Sequence, residues 1–223
     1  MKNLIIAAHP DDEILGCGGL IHKSFNQGDE SYVLILTGGA ETRYDKEMEK
    51  ALRENAVKAN FKLGTKEVFF EDLPNQQLDT VSLLSVTQII EKYIDKILPE
   101  AVFTHHIGDL NRDHQIVSTA TMTAVRPIPG QIVKKVYSYF VASSSEYNLL
   151  FCERTFAPNT FLNIRDEIDC KVTAMECYQS ECRPYPHPRS GEALRSYAKY
   201  WGLSVGVEYA EPFVLVRDLK ETI

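Results

Sequence analysis

Leu4-Ile5-Ile6-Ala7-Ala8-His9-Pro10-Asp11-Asp12-Glu13 lies near the start of the chain, and Ile14-Leu15-Gly16 follows it. The apolar run has the continuity of a strand buried on both faces, and residues from about Asp12 to Asn26 carry a helical pattern. A strand that passes into a helix through a short turn is the repeating unit of parallel α/β sheets. The turn itself packs one imidazole and three carboxylates into five residues. Like charges that close call for a counterion, and open α/β sheets bind ligands at the carboxyl ends of their strands, so a divalent cation suits this turn. Carboxylates in a first helical turn also cap free N–H groups and favour the positive end of the helix dipole, a role for which one acid suffices.

The arrangement recurs later in the chain. Ala101-Val102-Phe103-Thr104 reads as a strand, His105-His106-Ile107-Gly108-Asp109-Leu110-Asn111-Arg112-Asp113-His114 as a polar loop, and Gln115 onward as a helix. Catalytic zinc takes three His or carboxylate ligands and keeps a fourth position for water, which makes His9, Asp12 and His114 a candidate set. Asp113 either orients an imidazole or caps the helix that follows. Asp109 and Asn111 are candidates for substrate contact or for support of His105 or His106. Those two histidines alternate faces at a strand end, so at most one of them faces a pocket.

Between these sites, residues 31–36 read as a second strand, 45–60 as a charged amphipathic helix, 67–70 as a short strand and 80–97 as a long helix. The β-α-β-α alternation implies a mostly parallel sheet with right-handed crossovers and helices on both faces, a Rossmann-like three-layer α/β sandwich. Gly16-Cys17-Gly18-Gly19 is not a dinucleotide fingerprint: the spacing is wrong, and acids occupy the turn that would receive a pyrophosphate. Close packing of helix on sheet is the role expected of these glycines. Beyond Pro127 the pattern suggests strands at 132–140 and 160–164 and a helix at 165–177. Ser190 is placed to cap a helix whose Leu194, Tyr197, Ala198 and Trp201 share a face, with Gly202 ending it. A last strand at 212–216 is expected at a sheet edge, with Pro212 able only to start it.

A chain of 223 residues accommodates one α/β domain spanning 1–223. The formal net charge of −7 speaks against a nucleic-acid surface. Five cysteines, with no C-x-x-C pair, indicate neither a disulfide framework nor a cysteine zinc site, and suit a reducing cytoplasm. No run approaches a membrane span, and no membrane partner is expected.

The pairing of His9-Pro10-Asp11-Asp12-Glu13 with Asp113-His114 resembles the PIG-L/LmbE-like de-N-acetylases, zinc amidases that remove acetyl groups from N-acetylglucosamine units. The resemblance covers nearly all of the chain. It takes in Leu36-Thr37-Gly38-Gly39-Ala40-Glu41, the stretch 70–78 with Leu73-Pro74-Asn75, and Pro186-His187-Pro188-Arg189-Ser190. It implies one zinc ion (Zn2+) per chain on His9, Asp12 and His114, with Asp11 as general base. It also implies that His187 and Arg189 meet the substrate, with His187 a general acid or oxyanion donor. Relatives often carry a His three residues before the ligand His, where this chain has Asn111, which leaves the oxyanion donor open. Arg43, after the glycine pair, is a candidate for a sugar or phosphate oxygen or else a solvated surface residue.

The expected activity is hydrolysis of the N-acetyl or N-acyl amide of a small amino sugar or its conjugate. Family resemblance makes a homo-oligomer common. A metal-dependent hydrolase of another bond, such as a phosphoester or non-sugar amide, and a catalytically silent sugar- or nucleotide-binding module are the alternatives. Two histidines in the ligand set favour zinc over magnesium.

Overall fold

The computed structural model describes residues 1–39, 46–148 and 154–220. Its elements run β1 (Lys2–Ala7), α1 (Asp12–Asn26), β2 (Glu30–Gly39), α2 (Lys46–Leu63), β3 (Glu67–Pro74), α3 (Leu83–Ile97), β4 (Ala101–His105), α4 (Arg112–Ala124) and β5 (Lys135–Tyr139). There follow β6 (Thr160–Asn163), α5 (Ile168–Met175), α6 (Gly191–Ser204) and β7 (Ala210–Asp218). The strands form one sheet in the order β3-β2-β1-β4-β5-β7-β6. Strands β1 to β5 pair in parallel, and β7 pairs antiparallel with both β5 and β6.

Side-chain alternation along β1 divides the core. Ile5 and Ala7 face a cluster that includes Leu15, Ala56, Val172 and Ala198 from α1, α2, α5 and α6. Leu4, Ile6 and Ala8 face a second cluster that includes Ile90, Ile94, Val117 and Ala120 from α3 and α4. The result is the expected three-layer α/β sandwich, with a largely parallel sheet between two helical layers. Strands β1 and β4 are neighbours, although α1, β2, α2, β3 and α3 separate them in the chain. Their connections leave on opposite faces, and the crevice at such a switch point is where α/β sheets bind ligands.

The glycines of α1 serve close packing, as expected. A methyl group at Gly16 would overlap the buried Tyr139 ring, and one at Gly18 would lie 2.9 Å from Lys171 Cγ. Here α1 also receives a buried ion pair. Lys171 Nζ donates to Glu211 at 2.6 Å and to the Leu15 carbonyl at 2.8 Å, while the Gly19 and Leu20 N–H groups each donate to Glu211 at 2.7 Å. The pair thus bonds both ends of the Leu15–Gly19 rung, tying α5 and β7 to the helix that carries Asp12.

Several boundaries differ from expectation. The stretch before α3 is a 3₁₀ turn at Leu78–Thr80, and Ser82 caps the helix by accepting from Ser85 N. The helix expected over 165–177 begins at Ile168, and α6 continues past Gly202 to Ser204. Strand β7 is not an edge strand: β6 takes the edge. Pro212 stands inside β7 opposite Phe161, one residue beyond the last β5 pair, Tyr139 with Phe213, so the β5 ladder does not need its N–H. The four described cysteines, Cys17, Cys170, Cys177 and Cys182, are free.

Candidate functional site

The turn after β1 and the loop after β4 meet at this crevice. Asn111 caps α4 by accepting from Asp113 N at 2.9 Å, which puts His114 in the first helical turn. His9 Nδ1, Asp12 Oδ2 and His114 Nε2 then converge, each 3.2 Å from the other two. A tetrahedral cation with bonds of ~2.0–2.1 Å has donor-to-donor edges of about 3.4 Å, so the three atoms match one face of such a site.

The outer partners of the two rings fix the tautomers. His9 Nε2 lies 3.0 Å from Asp113 Oδ2, and His114 Nδ1 lies 3.2 Å from Asp109 Oδ2. In the neutral rings that metal binding requires, each outer nitrogen carries the proton and both inner nitrogens turn lone pairs toward the Asp12 carboxylate, whereas in the metal-free site the His114 ring holds a second proton that the metal displaces. Three lone pairs aimed at one centre repel unless a cation lies between them. The residues present fit a divalent metal ion.

Asp113 resolves as an orienting group. Its carboxylate also accepts from Gln76 N at 2.8 Å and Leu78 N at 3.0 Å, fastening α4 to the segment after β3, while capping falls to Asn111. Asp109 is fully buried behind His114, not on the pocket wall. It accepts from the Ser144 hydroxyl, from Ser145 Oγ at 2.8 Å and from Asn111 N at 2.9 Å. His105 stacks on His114 at 3.9 Å, and its Nε2 accepts from Ala8 N at 2.8 Å. His106 turns away to Arg154 O at 3.0 Å, so neither histidine is placed in the metal set.

Asp11 occupies a left-handed backbone conformation, with φ 107, that is strained for any residue with a Cβ. Its N–H donates to Glu13 Oε2 at 3.0 Å. Glu13 in turn accepts from Tyr178 OH at 2.5 Å and Asn60 Nδ2 at 2.9 Å. Of the three acids only Glu13 therefore serves the helix start, since the Asp11 side chain makes no capping bond and Asp12 turns to the histidines. The strained turn aims the Asp11 carboxylate into the pocket. There Arg189 meets it at 2.7 Å, while also bonding Glu181 at 2.8 Å and Ser143 Oγ at 2.8 Å.

The local field separates the two aspartates. Burial drives the Asp11 carboxyl well above the usual range, with Arg189 opposing. Burial also works against ionised Asp12, but the imidazoles of His114, His105 and His9 override it and hold the carboxyl well below that range. At His114 burial disfavours the cation, and the Asp12 and Asp109 carboxylates outweigh it, pushing the imidazole up to about 10. Desolvation and then Arg189 and Arg183 lower the His187 pKa. His187 Nδ1 accepts from Arg189 N at 3.1 Å, which leaves the proton of the neutral ring on Nε2.

Together these groups line a cavity of about 300 Å³ whose walls include His9, Asp11, Asn111, His114, His187 and Arg189. Arg43 lies outside the described residues. The sequence reading missed Gln76, whose side-chain amide sits 3.2 Å from His9 Nε2, and the wall residues Ser143, Ser144, Glu181 and Arg183. Gln76 adjoins the Leu73-Pro74-Asn75 stretch singled out above, so a signal existed there; the others carry no local mark in the sequence.

Comparison with known proteins agrees with this geometry. The chain is 25% identical over 222 residues to the diacetylchitobiose deacetylase of Thermococcus kodakarensis, covering 94% of this chain and 81% of that protein. The structure of the conserved protein TT1542 from Thermus thermophilus superposes with a TM-score of 0.78 at 26% identity, over 99% of this chain and 96% of that one. The 4-carboxy-2-hydroxymuconate hydratase GalB of Pseudomonas putida KT2440 shares the fold, with a TM-score of 0.76 at 23% identity and full coverage of both chains. Residues 4–125, which hold every member of the His9, Asp12 and His114 set, match the family PIG-L, GlcNAc-PI de-N-acetylase, and the chain belongs to that family.

Proposed function

We propose that the chain hydrolyses the N-acetyl, or a related N-acyl, amide of an amino sugar or amino-sugar conjugate, releasing a carboxylic acid and a free amine. One zinc ion held by His9, Asp12 and His114 is the cofactor of this reading. The observation that carries it is the division of labour in the first turn: Asp12 joins two histidines in a metal-sized triangle, while neighbouring Asp11 stands apart from that triangle with its carboxylate in the pocket. A binding site has no need of such a group.

Bound zinc supplies Lewis acidity, which polarises the amide carbonyl and makes water acidic enough to ionise near neutral pH. Asp11, basic through burial and held by Arg189, accepts the proton of the attacking water. The Nε2–H of neutral His187 is the donor available to the oxygen that develops negative charge, a role that Asn111 at the pocket rim shares. Asp11 then returns its proton to the departing amine, which completes the cycle without a second acid. Asp109 and Asp113 keep the two histidines in the tautomers that metal binding needs.

The reaction class is tested by incubating zinc-loaded protein with N-acetylated amino sugars and, separately, with p-nitrophenyl phosphate. Amine release without phosphate release is expected. Phosphate release without amine would replace this reading with a phosphoesterase.

A further inference from the structure

A second cavity, of about 670 Å³, adjoins the metal pocket. The same two segments supply both linings: Ser144, His187 and Arg189 line the metal pocket, and their chain neighbours Ser145, Pro186 and Pro188 line the second cavity. Six aromatic side chains, Phe140, Phe156, Tyr185, Tyr197, Tyr200 and Trp201, also line the second cavity. Trp201 packs edge-on to Tyr200 at 4.8 Å and to Phe140 and Phe156 at 6.2 Å. Tyr185 and Tyr200 are 58% and 62% exposed, so their surfaces are within reach of a ligand.

Most hydrogen-bonding side chains of this wall are engaged with the protein, and the buried indole N–H of Trp201 has no partner among the described residues. Ser145 Oγ donates to Asp109 at 2.8 Å and accepts from Val141 N at 2.9 Å. Glu146 accepts from Ser143 N, Ser144 N and Tyr197 OH. Asn148 donates to the Gly108 carbonyl, and Ser196 to the Glu192 carbonyl. A polyol lodged here would give up its water for few partners, whereas an alkyl or aryl group loses nothing by leaving water. The metal pocket has the opposite character, with charged and amide side chains around a smaller volume.

We propose that the aromatic cleft is a subsite for an apolar alkyl or aryl tail carried by the substrate. The substrate is then an amphiphile whose polar, acylated head occupies the metal pocket while its tail lies against Tyr200 and Trp201. The identity of the head rests on the amidase reading; recognition of the tail does not.

Trp201 is the one tryptophan of the chain, so its fluorescence reports on this cleft. Zinc-loaded protein is titrated with the octyl and methyl β-glycosides of N-acetylglucosamine and with N-octanoylglucosamine, all below micellar concentrations, while acid release is followed in parallel. A saturable change in Trp201 emission is expected with an octyl compound and not with the methyl glycoside. Whichever octyl compound responds identifies the tail as aglycone or acyl chain. Tyr200→Ala, with its fold checked by an unchanged melting temperature, should weaken that response about tenfold, as loss of an aromatic face implies.

Equal responses to methyl and octyl compounds, no response to either, or an octyl affinity unchanged in Tyr200→Ala would overturn the proposal. So would emission that follows protein concentration alone, which assigns the cleft to contact between copies of the chain. A Trp201 response without acid release supports the subsite and counts against the amidase reading.

Discussion

Asp11 and Asp12 are adjacent, and their surroundings drive them apart: burial raises the carboxyl of one, while three imidazoles lower that of the other. Substitutions around them should therefore cause separable losses. Asp11→Asn should keep one zinc per chain and lower kcat by roughly 10²–10⁴, the usual worth of a positioned proton-transfer group, as elemental analysis and steady-state rates can check. Asp109→Asn and Asp113→Asn, which touch the outer nitrogens of His114 and His9, should instead weaken zinc affinity by roughly 10–100-fold in a competitive chelator titration. Glu13 gives a pH signature in the metal-free protein. Burial raises its carboxyl from the ordinary 4.5 to about 7. A raised folded-state value means that its contribution to stability is complete below its unfolded value, near pH 4.5, and is lost as the pH rises through about 7. Denaturant midpoints measured across that window should fall more steeply for the native chain than for Glu13→Gln, and parallel curves would refute the assignment.

At the scale of elements, α1 carries Asp12 at its start and accepts the Lys171–Glu211 pair seven residues on, at Gly19. Removing one partner strands a buried charge. Lys171→Met should destabilise the fold by about 3–5 kcal/mol, and the double change Lys171→Met with Glu211→Leu should recover part of that loss, both read from urea midpoints. A single change no worse than the double would show that the pair is solvated. Gly16→Ala, by pressing on the Tyr139 ring, should cost about 1–3 kcal/mol by the same measurement.

Over the whole molecule, the sequence made legible what depends on local pattern. The apolar run of β1 and the two acid-and-histidine loops foretold the three-layer sandwich and the meeting of His9, Asp12 and His114 in a cluster that could hold a divalent metal, because each signal lies within one strand-turn-helix unit. What it hid was assembled at a distance. The position of β7 between β5 and β6 depends on pairing across much of the chain, and no feature of residues 212–216 encodes it. The Arg189 grip on Asp11 joins segments far apart in the chain, and the place of Asp109 behind His114 depends on how the loop after β4 packs, which local pattern does not mark. Among the described residues no helix is long and apolar enough to cross a membrane.

The central claim, that this crevice is a metal-dependent amidase site, is met most directly by acid release from a panel of N-acetylated amino sugars before chelation, after chelation and after zinc is restored. Release should stop on chelation and return with zinc. Release indifferent to the chelator, or a fully zinc-loaded chain that hydrolyses no member of the panel, would contradict the claim.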